Sequence, residues 1–338
     1  MAAIITRPGN TDKLLTPDFD SGFLAIAQGF PLTINHALGG DIDDYLVVLD
    51  LNNNVAKTAE GIYLLNEVSG TNVPDTSGNG FDLTTVNMED GDWVAGLINN
   101  ALNFDGVDEH TISSDATEFN FDNTDPFSLV SWIYPIYDGT SNIIFGKMGA
   151  GPAFQGYQWF VNPSGFIFMQ LISDFAVPDH HSMTTKKAVE FSTWTHVAFT
   201  YNGNRKSSGT NQYLNGKITP TEVTREEAQG VGSIVNSIPF QISGRNGATA
   251  TFFGMIDMAF VFAREITETE VDWLYNNGTG REVHLGQSGN LLGTHGLNKN
   301  NTSRGTHIES IDNANVLIRR SIHDPITDRV RIRIWDLS

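Results

Sequence analysis

Three groups of side chains in this sequence have types and spacings that chemistry could use. The run Asp75-Thr-Ser-Gly-Asn-Gly80 offers a carboxylate, the amide oxygen of Asn79 and exposed carbonyls in a glycine-bearing turn. That is the hard oxygen set that Ca2+ takes, and Asp75 and Asn79 are its candidate ligands. The same run also reads as an Asx-type turn that needs no ion. His180-His181 brings two imidazoles together, but adjacent side chains rarely converge on one metal and no third histidine stands close in sequence, so a solvated loop pair is the competing reading. The third group is aromatic, comprising Phe154-Gln-Gly-Tyr-Gln-Trp159 and Phe252-Phe253. Sugars stack on aromatic faces flanked by polar side chains. Tyr157, Trp159, Phe252 and Phe253, with Asp179 and His180, are therefore candidates for a carbohydrate-facing rim, against the alternative that each aromatic packs in a core.

Other chemistries are excluded by what the chain lacks. No Gly-x-Ser-x-Gly elbow and no glycine-rich phosphate loop with lysine occurs. Cysteine is absent, which removes disulfides, thiolate catalysis and cysteine-ligated zinc together. Asp and Glu number 39 against 20 Lys and Arg, a formal charge of -19, and the excess is spread along the chain. Nucleic acid is thus not an expected partner, because phosphate binding rests on a cationic surface. Divalent cations and neutral ligands suit the balance better. Met1-Ala-Ala-Ile-Ile-Thr-Arg-Pro8 shows no basic region followed by an apolar run, and no segment reaches transmembrane length, so neither a cleaved export signal nor membrane insertion is expected.

The elements that must position these groups are mostly short strands. From His196 the residues alternate, with Val197, Phe199 and Tyr201 on one face and Ala198 and Thr200 on the other; Gln212-Tyr-Leu-Asn-Gly-Lys217 then predicts a hairpin at Asn215-Gly216. Turn signals recur between apolar runs at Asn79-Gly80, Asp105-Gly106, Asp138-Gly139, Ser164-Gly165, Asn202-Gly203 and Asn246-Gly247. Regular turns between short strands predict an all-β sandwich. Thr267 to Gly278 predicts one helix, with a hydroxyl N-cap, an acidic first turn and a glycine stop. Nearer the N-terminus, segments beginning at Phe23, Leu32 and Asp44 predict three strands in a meander. Residues 1–22 read as an arm and 284–312 as a long loop.

Five blocks in order resemble the laminin G-like, concanavalin A-like jelly rolls. They are Asp75 to Gly80, Ala101-Leu-Asn-Phe-Asp-Gly-Val-Asp108, Phe127-Ser-Leu-Val-Ser-Trp132, Trp194 to Tyr201 with Tyr213-Leu-Asn-Gly-Lys217, and Gly254-Met-Ile-Asp-Met-Ala-Phe-Val-Phe262. The resemblance implies a two-sheet jelly roll, places Trp93, Trp132, Trp194 and His196 in its core, and adds Asp257 as a partner of the Asp75 turn in a structural calcium site. Glycan hydrolases share this fold, and the laminarinase-like ones carry Glu-x-Asp-x-x-Glu on one strand. Here the nearest string, Glu268-Thr-Glu-Val-Asp272, falls on the helix and lacks the last acid. The resemblance therefore implies a non-catalytic member, the alternative being a hydrolase with acids on separate strands, Glu109, Asp174 and Glu190 among them.

A second resemblance joins the chain ends. Gly22-Phe, Ala27-Gln-Gly, Leu32-Thr-Ile-Asn-His36 and Asp43-Asp-Tyr45 are similar to the opening of small β-sandwiches akin to the H-type lectins. The Arg- and Val-rich strand with which such domains close, ending on Trp, is matched by Asp328-Arg-Val-Arg-Ile-Arg-Ile-Trp335. The implied organisation is an arm over 1–22, a discontinuous β-sandwich over 23–58 plus 284–338, and a jelly roll over 59–283 inserted into it. Arg329, Arg331 and Arg333 then form either a solvated strand face or an oligomer interface, since such lectins commonly trimerise. Taken together, the expectation is a structural and carbohydrate-recognition protein on the surface of a virus particle, binding glycans and assembling with itself or with virion or filament proteins. A cell-surface or filament-forming adhesion lectin is the alternative.

Overall fold

The turns set the frame. Each glycine of the predicted turns within 59–283, at positions 80, 106, 139, 165, 203, 216 and 247, has positive φ, the conformation that a missing Cβ makes accessible. The computed structural model describes residues 59–177, 179–227, 230–247 and 250–282 throughout, with the strands 19–20, 24–25, 31–35, 45–53, 291–293, 306–311, 315–320 and 327–336. The chain divides into two compact units, Met1–Lys57 with Gly286–Ser338, and Thr58–Leu285.

The second unit is an antiparallel sandwich. One sheet runs Lys217–Thr219, Thr210–Leu214, Thr195–Tyr201, Phe127–Pro135, Phe253–Phe262, Asn100–Asp105 and Trp93–Ala95, with Ala59–Tyr63 also pairing Phe253–Phe262. The other runs Thr221–Arg225, Asp179–Thr185, Ile167–Asp174, Gly156–Val161, Asn142–Met148 and Gln241–Ile242. A smaller sheet of His110–Ser113, Leu83–Val86 and Asn72–Val73 completes the unit. Alternation decides what fills the middle. Leu129, Ile133, Val197 and Phe199 from the first sheet and Trp159, Val161, Met169 and Leu171 from the second belong to one buried cluster. Each such side chain contributes about 1.5–3 kcal/mol on leaving water.

At the predicted hairpin, Asn215 and Gly216 have φ of 51° and 75°, the type I′ geometry that matches strand twist. The α-helix is Glu268–Tyr275; Thr267 caps it by accepting from Glu270 N, and Asn276 ends it at φ 50°. Tyr275 stacks on Trp132 at 5.7 Å, on the sheet face turned away from the core. Trp93, Trp132 and His196 are all buried, but of the three only Trp93 joins the core cluster, because Trp132 and His196 pack against Tyr275 of the helix on the opposite sheet face; Trp194 is half-buried and meets Tyr134 at 5.6 Å. Among the described residues no helix is long and apolar enough to cross a membrane.

In the first unit, Tyr45–Asn53 pairs with Thr327–Asp336 along its length, and Pro31–Asn35 pairs with Asn315–Arg320. The early strands therefore do not form the predicted meander; they pair with strands from the far end of the chain, and Leu24–Ala25 likewise pairs with Thr327–Asp336. Phe19–Asp20, inside the predicted arm, is a strand on the same partner, and the predicted loop over 284–312 contains the strands Leu291–Gly293 and Thr306–Ile311. Arg329, Arg331 and Arg333 stand in register with Asn52, Asp50 and Val48, and their side chains lie outside the described residues.

Candidate functional site

The outer face of the six-stranded sheet carries a row of polar side chains at one register level. Gln241 is opposite Gly146, Gly146 opposite Gln158, Gln158 opposite Gln170, Gln170 opposite Ser182, and Ser182 opposite Arg225. Strand alternation puts them there: in Gly156–Val161 the core takes Tyr157, Trp159 and Val161, which leaves Gln158 and Phe160 on the other side. A hydrogen-bonded chain runs along the row in one direction. Arg245 Nη1 donates to Gln158 Oε1 at 2.6 Å, Gln158 Nε2 donates to Gln170 Oε1, and Gln170 Nε2 donates to Ser182 Oγ at 3.0 Å. Adjacent strands repeat this pattern about every 4.8 Å.

Aromatic groups flank the row on both sides. Phe160 and Phe168, opposite each other in register, stack at 5.2 Å with 11° between their planes. Beyond the other side, Phe175 stacks on His180 at 4.8 Å, its edge meets Phe154 at 5.9 Å, and Arg245 lies over Phe154 at 5.3 Å. Phe175 is 45% exposed although it is a large apolar side chain. Burial, with Arg225 and His181 adding to it, pushes the His180 imidazole below its ordinary value, so it is neutral near pH 7. Asp179 accepts from Gly232 N at 3.1 Å, fixing a neighbouring loop.

Of the six predicted rim residues, only His180 lies at this face; Asp179, next to it in sequence, has the parity of His181 and the core residue Met183 and turns to Gly232 N. Tyr157, Trp159 and Phe252 are 1%, 0% and 0% exposed and belong to the core, so no sugar can stack on them. The Tyr157 hydroxyl donates to Phe119 O at 3.0 Å. Phe253 is in the other sheet, against Gly106. The segment Phe154 to Trp159 does reach this face, but through Phe154 and Gln158 and not through Tyr157 and Trp159, because a shift of one residue exchanges the two faces of a strand. Gln158, Phe160, Phe168, Gln170, Ser182 and Arg245 were all missed. Polar residues immediately next to a buried tryptophan or methionine, as in Gln158 beside Trp159 and Gln170 beside Met169, are the signal that could have found them.

The Asp75 turn is built differently from an ion site. Asp75 Oδ1 accepts from Ile62 N and Ser77 N at 3.0 and 2.8 Å, and Oδ2 accepts from Ser77 Oγ and Phe81 N at 2.7 and 3.1 Å. Asn79 Nδ2 donates to Glu60 O at 2.9 Å. A calcium ion on Asp75 would have to displace N–H and O–H donors that already fill its lone pairs, so this donor set fits the Asx-type turn and not the ion. Asp257 shares none of these partners. Its Oδ2 accepts from Leu97 N and Ile98 N at 2.9 and 3.1 Å, holding the loop ahead of Asn100–Asp105, while Oδ1 is buried without a partner. Among the described residues no group of three or more His, Asp or Glu is placed to hold a metal.

The acids considered for hydrolysis are each tied locally. Glu109 accepts from Asp105 N at 2.6 Å, Asp174 accepts from Ala176 N at 2.8 Å in a hairpin turn, and Glu190 is exposed on a loop. Burial, foremost, pushes Glu109 up to about 7. None of the three stands on the amide row.

The two-sheet antiparallel sandwich is of the concanavalin A-like jelly-roll class. Residues 105–272 match the family model described as "Laminin_G_3: Concanavalin A-like lectin/glucanases superfamily", so the second unit contains a domain similar to that superfamily. Among solved structures, the binding domain of Paraclostridial Mosquitocidal Protein 1 is similar at 17% identity and a TM-score of 0.48, over 70% of this chain and 53% of that one. The botulinum neurotoxin serotype C1 binding domain is similar at 14% identity and 0.48, over 68% and 53%. A Trypanosoma rangeli sialidase is similar at 15% and 0.47, over 67% and 34%. The chain spans about half the length, or less, of these structures. No curated protein matches it.

Proposed function

We propose that this chain is a non-catalytic structural and carbohydrate-recognition protein displayed on the surface of a virus particle, with the outer face of the six-stranded sheet as its glycan-binding surface. The observation that carries the reading is the amide row from Arg245 through Gln158 and Gln170 to Ser182, between the Phe160–Phe168 stack and the Phe154–Phe175–His180 group. Amides and hydroxyls exchange hydrogen bonds with sugar hydroxyls, and aromatic faces take the C–H side of a pyranose ring. The match to a lectin and glucanase superfamily model supports the same reading. Most glycosidases cleave with two carboxyl groups flanking the bond, whereas this row offers amides, a hydroxyl and arginine.

The first unit is read as the H-type-lectin-like body through which the protein assembles, as a homo-oligomer or on virion or filament proteins, with Arg329, Arg331 and Arg333 in the contact. The support is the pairing of Tyr45–Asn53 with Thr327–Asp336, which builds that unit from both ends of the chain. A glycan array probed with the full chain, together with detection of the protein in purified particles, tests the proposal. Absence from particles removes the virion reading, and a blank array removes the glycan reading.

A further inference from the structure

We infer that the saccharide taken by this face carries a carboxylate, and that the Arg245 guanidinium receives it. The inference rests on the carbohydrate reading above and adds the charge of the ligand to it. Arg245 is held in place from several sides. Its Nη1 donates to Gln158 Oε1 at 2.6 Å and lies 4.0 Å from Met148 Sδ, while the guanidinium sits over the Phe154 ring at 5.3 Å. The backbone is anchored as well: Met148 N donates to Arg245 O at 3.2 Å, and a Cβ on Gly146 would stand 2.7 Å from Arg245 Cβ, so glycine is what lets the arginine come this close to the sheet.

What this arginine lacks is an anion. A guanidinium carries five N–H donors and no acceptor. Among the described residues, Nε and Nη2 of Arg245 donate to no group, and no carboxylate stands within ion-pair distance of it. Arg225 and Arg264 in the same unit each have a carboxylate partner, and Arg264 meets both oxygens of Glu270, at 2.6 and 3.0 Å. Burial alone pushes the Arg245 guanidinium below its ordinary value, with no acid opposing the shift, although an arginine stays charged at any physiological pH. A partly buried cation with no counter-ion is unfavourable until an anion joins it. The Nε–Nη2 edge is the side of the fork that takes a carboxylate through two parallel hydrogen bonds.

Arg245 also sets the direction of the row. Because arginine can only donate, Gln158 must turn Oε1 toward it, which turns Gln158 Nε2 to Gln170 Oε1 and Gln170 Nε2 to Ser182 Oγ. Each amide keeps a second N–H for a ligand. The face therefore offers a cationic fork at one end and amide and hydroxyl donors across the next two strand gaps, about 10 Å. Phe175, exposed and edge-on to Phe154, supplies an apolar wall beside the fork. An acidic sugar matches that series, with its carboxylate on Arg245 and its hydroxyls along the amides. The net charge of -19 opposes an anion only at long range, since exposed charges are screened beyond about 8 Å at physiological salt, whereas carboxylate and guanidinium would be in contact.

The test titrates the full chain with acid and methyl-ester forms of the same saccharide, so that only the charge differs. Oligogalacturonate and its ester represent uronic acids, sialyllactose and its ester represent sialic acids, and laminari- and cello-oligosaccharides are the neutral arm. Wild type should bind an acid form about tenfold or more tighter than its ester, the effect of hydrogen bonds to a charged group, and the arm that responds identifies the source of the carboxylate. Arg245→Ala should remove that preference, and Arg245→Lys, which keeps the charge without the fork, should retain part of it. Thermal melts check the fold of both; if Arg245→Ala is unstable, the Arg245 Nε–H resonance of wild type serves, moving with the acid and not with the ester. Esters or neutral oligosaccharides bound by wild type as tightly as the acids, or an acid preference that survives in Arg245→Ala, overturns the inference and leaves the carbohydrate reading standing. No saccharide bound by wild type overturns both.

Discussion

Gln158 and Gln170 stand opposite each other on neighbouring strands, and the side-chain amide of the first donates to that of the second. Gln158 is nearly buried, so removing its acceptor leaves an N–H group that water cannot easily serve. Gln170→Ala should cost about 1–2 kcal/mol in urea unfolding, and a double-mutant cycle with Gln158→Ala should give a coupling of about 1 kcal/mol. Additive losses would show that the two amides act independently.

Asp257 governs a pH dependence. Burial, foremost, pushes its carboxyl from 3.8 up to about 7, with the Glu282 charge adding to the rise and the N–H groups of Ile98 and Leu97 opposing it. A carboxyl whose folded-state value lies above its unfolded one contributes most stability below the unfolded value, and that contribution is lost as pH rises through the folded one. The difference is on the order of 4 kcal/mol between the acidic and alkaline ends. The melting temperature should therefore fall from about pH 5 to pH 8, and Asp257→Asn, which keeps an acceptor for Leu97 and Ile98 but does not titrate, should flatten the fall. An unchanged slope in the variant would place the effect elsewhere, Glu109 being the next group to replace.

The strands of the jelly roll were legible in the sequence because alternation and Asn-Gly or Asp-Gly turns are local signals. Gly216, Gly165 and Gly203 announce their turns without any knowledge of the rest of the chain. Pairing in the first unit was not legible to that degree, since Tyr45–Asn53 looks like a meander strand until its partner Thr327–Asp336 is known. The binding face was missed for a subtler reason. Which parity of Phe154 to Trp159 faces outward is decided by the opposing sheet, and large aromatics such as Trp159 and Tyr157 read equally well as core or as platform.

That parity has a direct consequence for Tyr157. Its hydroxyl is buried and bonded to Phe119 O, so Tyr157→Phe should lower stability by about 1–2 kcal/mol and leave glycan affinity unchanged. Calorimetric melts and a binding titration on one preparation separate the two effects. A loss of binding at unchanged stability would return Tyr157 to the site.

Asp75 gives a corresponding result for calcium. With four hydrogen bonds on its carboxylate, Asp75→Ala should destabilise the fold by several kcal/mol with or without added calcium. The wild-type melting temperature should not move on adding a chelator. A clear drop with chelator, restored by calcium, would show that the turn rearranges to hold an ion.

The central claim is that the amide row is the glycan-binding face, and a glycan array comparing wild type with Gln170→Ala, Phe168→Ala and Tyr137→Ala tests it most directly. Tyr137 is a large aromatic, 61% exposed, in a loop away from the row, and serves as the control. The account predicts that wild type and Tyr137→Ala bind the same glycans, while Gln170→Ala and Phe168→Ala lose about tenfold or more in signal, the effect of one hydrogen bond or one stacked ring in a binding site. Equal binding by all four chains, or loss only in Tyr137→Ala, would contradict it.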